Sequence, residues 1–195
     1  MVRKVFFSFH YERDGWRANV VRNSWVTKPD REEAGFIDAA EFEEIQRQGD
    51  QNVKRWINSQ LVGTSVTVVL IGAETYSRKW VRYEIIKSFD KGNGLLGIYI
   101  HKIKDKDRKI DFRGKNPFEY VGVYIGRDGK AEYRELKNGK WVKFEDYPKC
   151  SFNFDKKYRT DEVYTFRNNT YDWVDDDGYN NIGMWVEEAT KQVGR

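Results

Sequence analysis

The chain has 195 residues and one cysteine, Cys150, which fits one domain carrying an insertion and excludes an internal disulfide or a multi-cysteine zinc site. Residues are 39% hydrophobic, 34% charged and 16% aromatic, so the chain folds rather than staying disordered. No apolar run approaches the roughly 20 residues of a membrane span, and Met1 to Phe7 lacks a signal-peptide layout, so a cytoplasmic protein without membrane contact is expected. The net charge is +4, but Lys+Arg and Asp+Glu number 16 and 13 over residues 1–102 and 19 and 18 over 103–195. No basic stripe follows from that distribution, and nucleic acid is not an expected partner.

Val5 to Phe9 is a short β-rich run, followed by a predicted loop from His10 to Gly15. Trp16 to Val26 reads as a helix with Trp16 and Val20 along one side, stopped by Pro29. Gly35-Phe36-Ile37-Asp38 is a brief predicted strand ending in an acid. Val53, Trp56, Ile57 and Leu61 give Asp50 to Leu61 an amphipathic helical spacing. Ser65 to Ile71 is apolar on both faces, as a central parallel strand should be. Ser77 is placed to cap a helix from Arg78 to Asp90, with Val81, Ile85 and Phe89 toward the sheet. Leu96 to His101 is the next buried strand. This alternation predicts an α/β, flavodoxin-like parallel sheet flanked by helices over residues 1–102.

Beyond Lys102 the pattern changes. Lys104 to Asn116 reads as an exposed charged loop. Asp128-Gly129 and Asn138-Gly139 mark two hairpins, which makes 103–160 an inserted antiparallel β-meander. Glu162 to Phe166 is the expected returning strand. Ile182, Trp185, Val186, Ala189 and Val193 are spaced for a closing helix, so that 161–195 completes a single domain over 1–195.

Gly92-Asn93-Gly94-Leu95-Leu96-Gly97 spells G-x-G-x-x-G, but it follows a helix and opens a strand, the reverse of a dinucleotide fingerprint; Gly92 reads as a helix C-cap. Asp175-Asp176-Asp177-Gly178 lacks calcium-loop spacing and reads as a solvated turn. His10 and His101, without cysteine partners, make no metal set. In a sheet of order 2-1-3-4-5, ligands sit beyond the C-terminal ends of the first and third strands. Ser8 to Asp14 and Gly72 to Ser77 are the loops there. The second loop feeds the helix that carries Trp80 and Glu84, four apart on one face. From pattern alone Glu84 reads more readily as an ordinary surface acid than as a placed carboxylate.

Val5 to His10 resembles the opening strand of TIR domains, and Ser77 to Glu84 resembles their helix in which a Trp precedes the NAD-cleaving Glu by four residues. Phe6 to Tyr11, Asn19 to Val26, Trp80 to Ile85, Asn116 to Phe118 and Tyr171 to Val174 together resemble the bacterial TIR-like family of the Thoeris antiphage system, ThsB. That resemblance implies an enzyme with NAD as substrate and no bound cofactor or metal, making a cyclic ADP-ribose isomer that activates a separate effector, ThsA. It implies Glu84 as the catalytic carboxylate and Ser8, Phe9, His10, Tyr11, Asp38, Trp80 and Tyr83 as the substrate-binding set. A phage component as trigger and a homo-oligomer are further expectations. Gly35 to Phe42 is short where TIR domains carry a long variable loop.

The chemistry suits these residue types. Breaking the nicotinamide–ribose bond builds positive charge on the sugar, which one carboxylate can stabilise, and nicotinamide leaves neutral without a general acid. Phe9, Tyr11 and Trp80 could stack on substrate rings and exclude water. Two alternatives stay open: a non-catalytic TIR-like interaction module, and a nucleoside deoxyribosyltransferase-like enzyme, which also uses a glutamate on a flavodoxin-like sheet.

Overall fold

The apolar run Val66–Ile71 is buried at all six positions in the computed structural model, because the sheet it centres is covered on both faces. The structure describes residues 3–29, 31–34, 39–147 and 149–194. Five strands form the parallel sheet: β1 (Arg3–Ser8), β2 (Arg31–Ala34), β3 (Val66–Ile71), β4 (Gly94–Tyr99) and β9 (Thr170–Asp172), in the order β2-β1-β3-β4-β9. This is the 2-1-3-4-5 order expected from the alternation. The helices are α1 (Tyr11–Val26), α2 (Ala39–Arg47), α3 (Asp50–Gln60), α4 (Lys79–Asp90) and α5 (Gly178–Gln192).

Several local expectations are corrected. The segment expected as a loop from His10 to Gly15 is already helix from Tyr11, with the Asp14 amide donating to the His10 carbonyl at 2.8 Å. Gly15 meets nothing within 4 Å of where a Cβ would stand, and a helix interior tolerates such a glycine at about 1 kcal/mol. Trp16 and Val20 are 53% and 38% exposed. The buried face of α1 instead carries Asp14, Arg17, Ala18, Val21 and Trp25. The predicted strand at 35–38 lies outside the described residues; the observed edge strand is the polar Arg31–Ala34. Ser77 does not cap α4. Its hydroxyl donates to the Glu74 carbonyl within a 3-10 turn, Thr75–Ser77, and extended Arg78 takes the N-cap position. Gly92 does close α4, at φ 72°.

The insertion forms a second, four-stranded antiparallel sheet of β5 (Val121–Ile125), β6 (Ala131–Lys137), β7 (Lys140–Lys143) and β8 (Glu162–Thr165), ordered β7-β6-β5-β8. Glu162–Thr165 is therefore not the strand that returns to the parallel sheet. It pairs antiparallel with β5, and β9 takes its place beside β4. Helix α4 joins the two sheets. Asp90 at its end accepts from the Tyr133 and Tyr147 hydroxyls and the Ser151 hydroxyl, each at 2.7 Å, and Phe89 stacks on Phe166 at 4.4 Å.

The charged segment after Lys102 has no regular structure, yet it is tied down. Arg17, buried on α1, donates to the Ile103 carbonyl at 2.9 Å and the Lys109 carbonyl at 3.0 Å, and Arg13 forms a bidentate pair with Asp111 at 3.0 Å. Gly114 lies so close to the Gly72 carbonyl that any side chain there would overlap it. The segment thus straps across the ends of β1 and β3 rather than hanging free.

Candidate active site

The strap and α1 fill part of the crevice where the sheet order reverses. Asp14 lies against Gly72, which leaves no space for a Cβ, and accepts from the Thr75 hydroxyl at 3.4 Å. Burial pushes its carboxyl up to about 6, against the opposing pull of Arg17. The open cavity is displaced toward α2. It measures about 200 Å³ and is lined by Phe9, His10, Tyr11, Glu12, Phe42, Gln46, Arg78, Lys79, Trp80 and Val81.

Glu84 lies behind that wall. It is on α4 one turn below Trp80, fully buried at 0% exposure, and reaches the end of β1, where Ser8 donates a 2.5 Å hydrogen bond to Oε2. Among the described residues Oε1 has no hydrogen-bond partner, and neither has the buried Tyr11 hydroxyl. Desolvation pushes the Glu84 carboxyl up to about 8, despite the Ser8 hydrogen bond, so at pH 7 the resting group is mainly protonated. Burial raises the Tyr11 phenol well above its usual range, and the Glu84 charge adds to that. Orphaned polar atoms in an apolar setting are costly, which marks this as a placed carboxylate rather than a surface acid.

Aromatic rings seal the site. Tyr11 stacks on Phe42 with centroids 4.1 Å apart and planes 15° apart, and Phe9 lies 4.3 Å from Tyr11. Trp56 meets both Tyr11 and Phe42 edge-on. His10 is buried with neither ring nitrogen hydrogen-bonded to a described residue; Nε2 stands 3.6 Å from Glu12. Burial and then the nearby Arg78 lower its pKa, keeping the imidazole neutral at pH 7. At the rim, Arg78 pairs with Glu74 through one amino group while its Nε is buried without an acceptor.

Of the residues singled out from sequence, Ser8 and Glu84 meet directly, and Phe9, His10, Tyr11 and Trp80 line the adjoining cavity. Tyr83 does not line that cavity, although its ring meets Trp80 edge-on at 6.0 Å. Its hydroxyl donates to Asn58 on α3 at 3.2 Å and its ring packs against Tyr147, because the next position on the helix turns it away. Asp38 lies outside the described residues. Phe42, Gln46 and Arg78 were not anticipated. Phe42 and Ile45, three apart, carry the signal that would have revealed α2.

A family model described as "Thoeris protein ThsB, TIR-like domain" matches residues 6–105. A Bacillus cereus (strain MSX-D12) protein named "Putative cyclic ADP-D-ribose synthase ThsB1" is 45% identical over 195 residues, covering 95% of this chain and 100% of that protein. Among the described residues no helix is long and apolar enough to cross a membrane. The matched family region holds the end of β1, the parallel strands β2 to β4 and the buried Ser8–Glu84 pair, and the chain belongs to the Thoeris ThsB family of TIR-like proteins.

Proposed function

We propose that this protein cleaves NAD at the nicotinamide–ribose bond and closes the remaining ADP-ribose into a cyclic isomer, a signal read by a separate ThsA-type effector. The observation that carries the reading is Glu84, sealed from water with one oxygen held by Ser8 and the other free. The name of the Bacillus cereus relative supports the product class.

The nicotinamide ring of NAD is cationic, and its approach favours the ionised form of Glu84 that burial alone disfavours. The carboxylate then stabilises positive charge on the ribose as the C–N bond breaks and its electron pair leaves with neutral nicotinamide. With water excluded, a hydroxyl of the same ADP-ribose attacks the anomeric carbon, and its proton passes to Glu84. The product is ADP-ribose less one water. Arg78, with an unpaired Nε beside the N-terminus of α4, is placed to receive the pyrophosphate.

The cavity of about 200 Å³ is smaller than the roughly 300–1,000 Å³ of ordinary ligand sites. Substrate entry therefore requires the Tyr11–Phe42 wall to part, and the resting protein turns over slowly. Protein from infected cells, incubated separately with NAD and with deoxynucleosides, is expected to release nicotinamide and exchange no bases. Base exchange without NAD would assign a deoxyribosyltransferase, and turnover of neither would assign an interaction module.

Cys150 takes no part in this scheme. Burial raises its thiol pKa, which keeps the nucleophilic thiolate scarce. Cys150→Ser is expected to leave turnover unchanged; inactivation by a thiol reagent that the serine variant escapes would contradict that.

A further inference from the structure

At the end of the sheet opposite Glu84, Arg3 and Arg31 stand side by side as the first paired residues of β1 and β2. Ser8 lies five residues further along β1, about 16 Å away at ~3.3 Å per residue. Arg3 is occupied by a bidentate pair with Glu187 of α5, at 2.8 and 3.0 Å. Among the described residues Arg31 has no such partner. It makes no ion pair with a described residue, and its Nη1 is buried without a hydrogen-bond partner. Burial, its one resolved influence, lowers its pKa.

The guanidinium is nonetheless held in place. It lies over the ring of Trp25 at 4.5 Å, and Trp25 is itself fixed by an indole hydrogen bond of 2.9 Å to the Glu32 carbonyl. On the α5 side Gly183 provides a notch: a Cβ there would overlap Nη2. Arg31 faces a cavity of about 360 Å³ that also receives Arg3 and Glu187. Among the described residues Glu187 neutralises one of the two cations and nothing pairs with the other, which leaves a positive charge at a partly desolvated site. A guanidinium so placed gains most from an oxyanion that accepts its fork of donors.

We propose that this cavity is a second ligand site, separate from Glu84, which binds a phosphate group through Arg31. A free phosphate ion and a phosphate monoester on an organic group share that chemistry. The Trp25 stack and the Gly183 notch pre-orient the fork, so little rotamer freedom is lost when the anion arrives.

Inorganic phosphate tests this by thermal unfolding against chloride at matched ionic strength, with the Arg31 Nε–H resonance followed by NMR. For a Kd of about 1 mM, 20 mM phosphate should raise the Tm by about 3–7 °C beyond the response of Arg31→Met. The Nε–H resonance should shift saturably. Gly183→Ala, which displaces the guanidinium but keeps its charge, should also lose the added response, and it serves the comparison if Arg31→Met does not fold. Tighter binding of AMP than of phosphate supports an organic phosphate as ligand; equal or weaker binding supports the free ion. Equal responses of the native chain and both variants, with a static Nε–H resonance, would overturn the proposal.

Discussion

Glu84→Gln is expected to lower NAD turnover by about 10²–10⁴-fold in a chain that stays folded. The amide keeps the shape of the acid and can still meet Ser8, but it can neither carry the charge that balances the ribosyl cation nor take the proton of the attacking hydroxyl. The same variant should alter how stability depends on pH. Glu84 titrates near 4.5 in the unfolded chain and near 8 in the fold. Between those values the native state retains a proton that the unfolded state has lost, so stability falls as pH rises. The contribution present below pH 4.5 is lost by pH 8 and amounts to roughly 4 kcal/mol. Asp14 adds a slope of the same sign, but only up to about pH 6. His10 and His101, whose pKa values burial lowers in the fold, add a slope of the opposite sign that ends near pH 7, so urea unfolding between pH 7 and 8 isolates Glu84. The native midpoint should drop across that window, while that of Glu84→Gln should stay level. Parallel slopes would mean that the carboxyl is already ionised at rest.

Arg82→Met should destabilise the protein by about 3 kcal/mol, a fall in Tm of about 6–12 °C. Arg82 and Glu135 form a buried ion pair at 2.7 Å, both side chains 7% exposed, linking α4 to β6. Arg82 also donates to the Tyr76 carbonyl at 3.0 Å, fixing the turn that leads into α4. Removing the guanidinium leaves Glu135 buried with Lys137 as its remaining partner, at 2.5 Å. That partner keeps the loss near the lower end for a broken buried pair. Replacing both residues, Arg82→Met with Glu135→Met, should recover much of the loss, since two apolar side chains leave no orphaned charge. A cost below about 1 kcal/mol for Arg82→Met would show that the pair is hydrated and that the second sheet is held to α4 chiefly by other contacts, such as those of Tyr83, Lys87, Phe89 and Asp90.

The parts of the fold legible in the sequence are those written in apolar periodicity. β3 is a continuous β-branched run, and α3, α4 and α5 repeat apolar side chains at helical spacing, so their existence and the strand order followed. Helix α1 misled because its inner face carries Asp14 and Arg17, charges whose partners are distant in sequence: Thr75 for Asp14, and the strap carbonyls of Ile103 and Lys109 for Arg17. The alternation in Glu162-Val163-Tyr164-Thr165 identifies a strand but cannot say which sheet recruits it. At the site, the fourfold spacing of Trp80 and Glu84 was visible and the burial of Glu84 was not. Burial depends on α2 and on Phe42 closing over Tyr11, a contact between elements that no local pattern records.

Nucleotide mass spectrometry of lysates from infected cells, comparing the native chain with Glu84→Gln, tests the central claim most directly. The native lysate should contain nicotinamide and a species with the mass of ADP-ribose less one water, and the Glu84→Gln lysate should lack that species. Linear ADP-ribose and nicotinamide alone in the native lysate would contradict internal capture and leave a plain NAD hydrolase. The cyclic species at equal levels in both lysates would remove Glu84 from the mechanism.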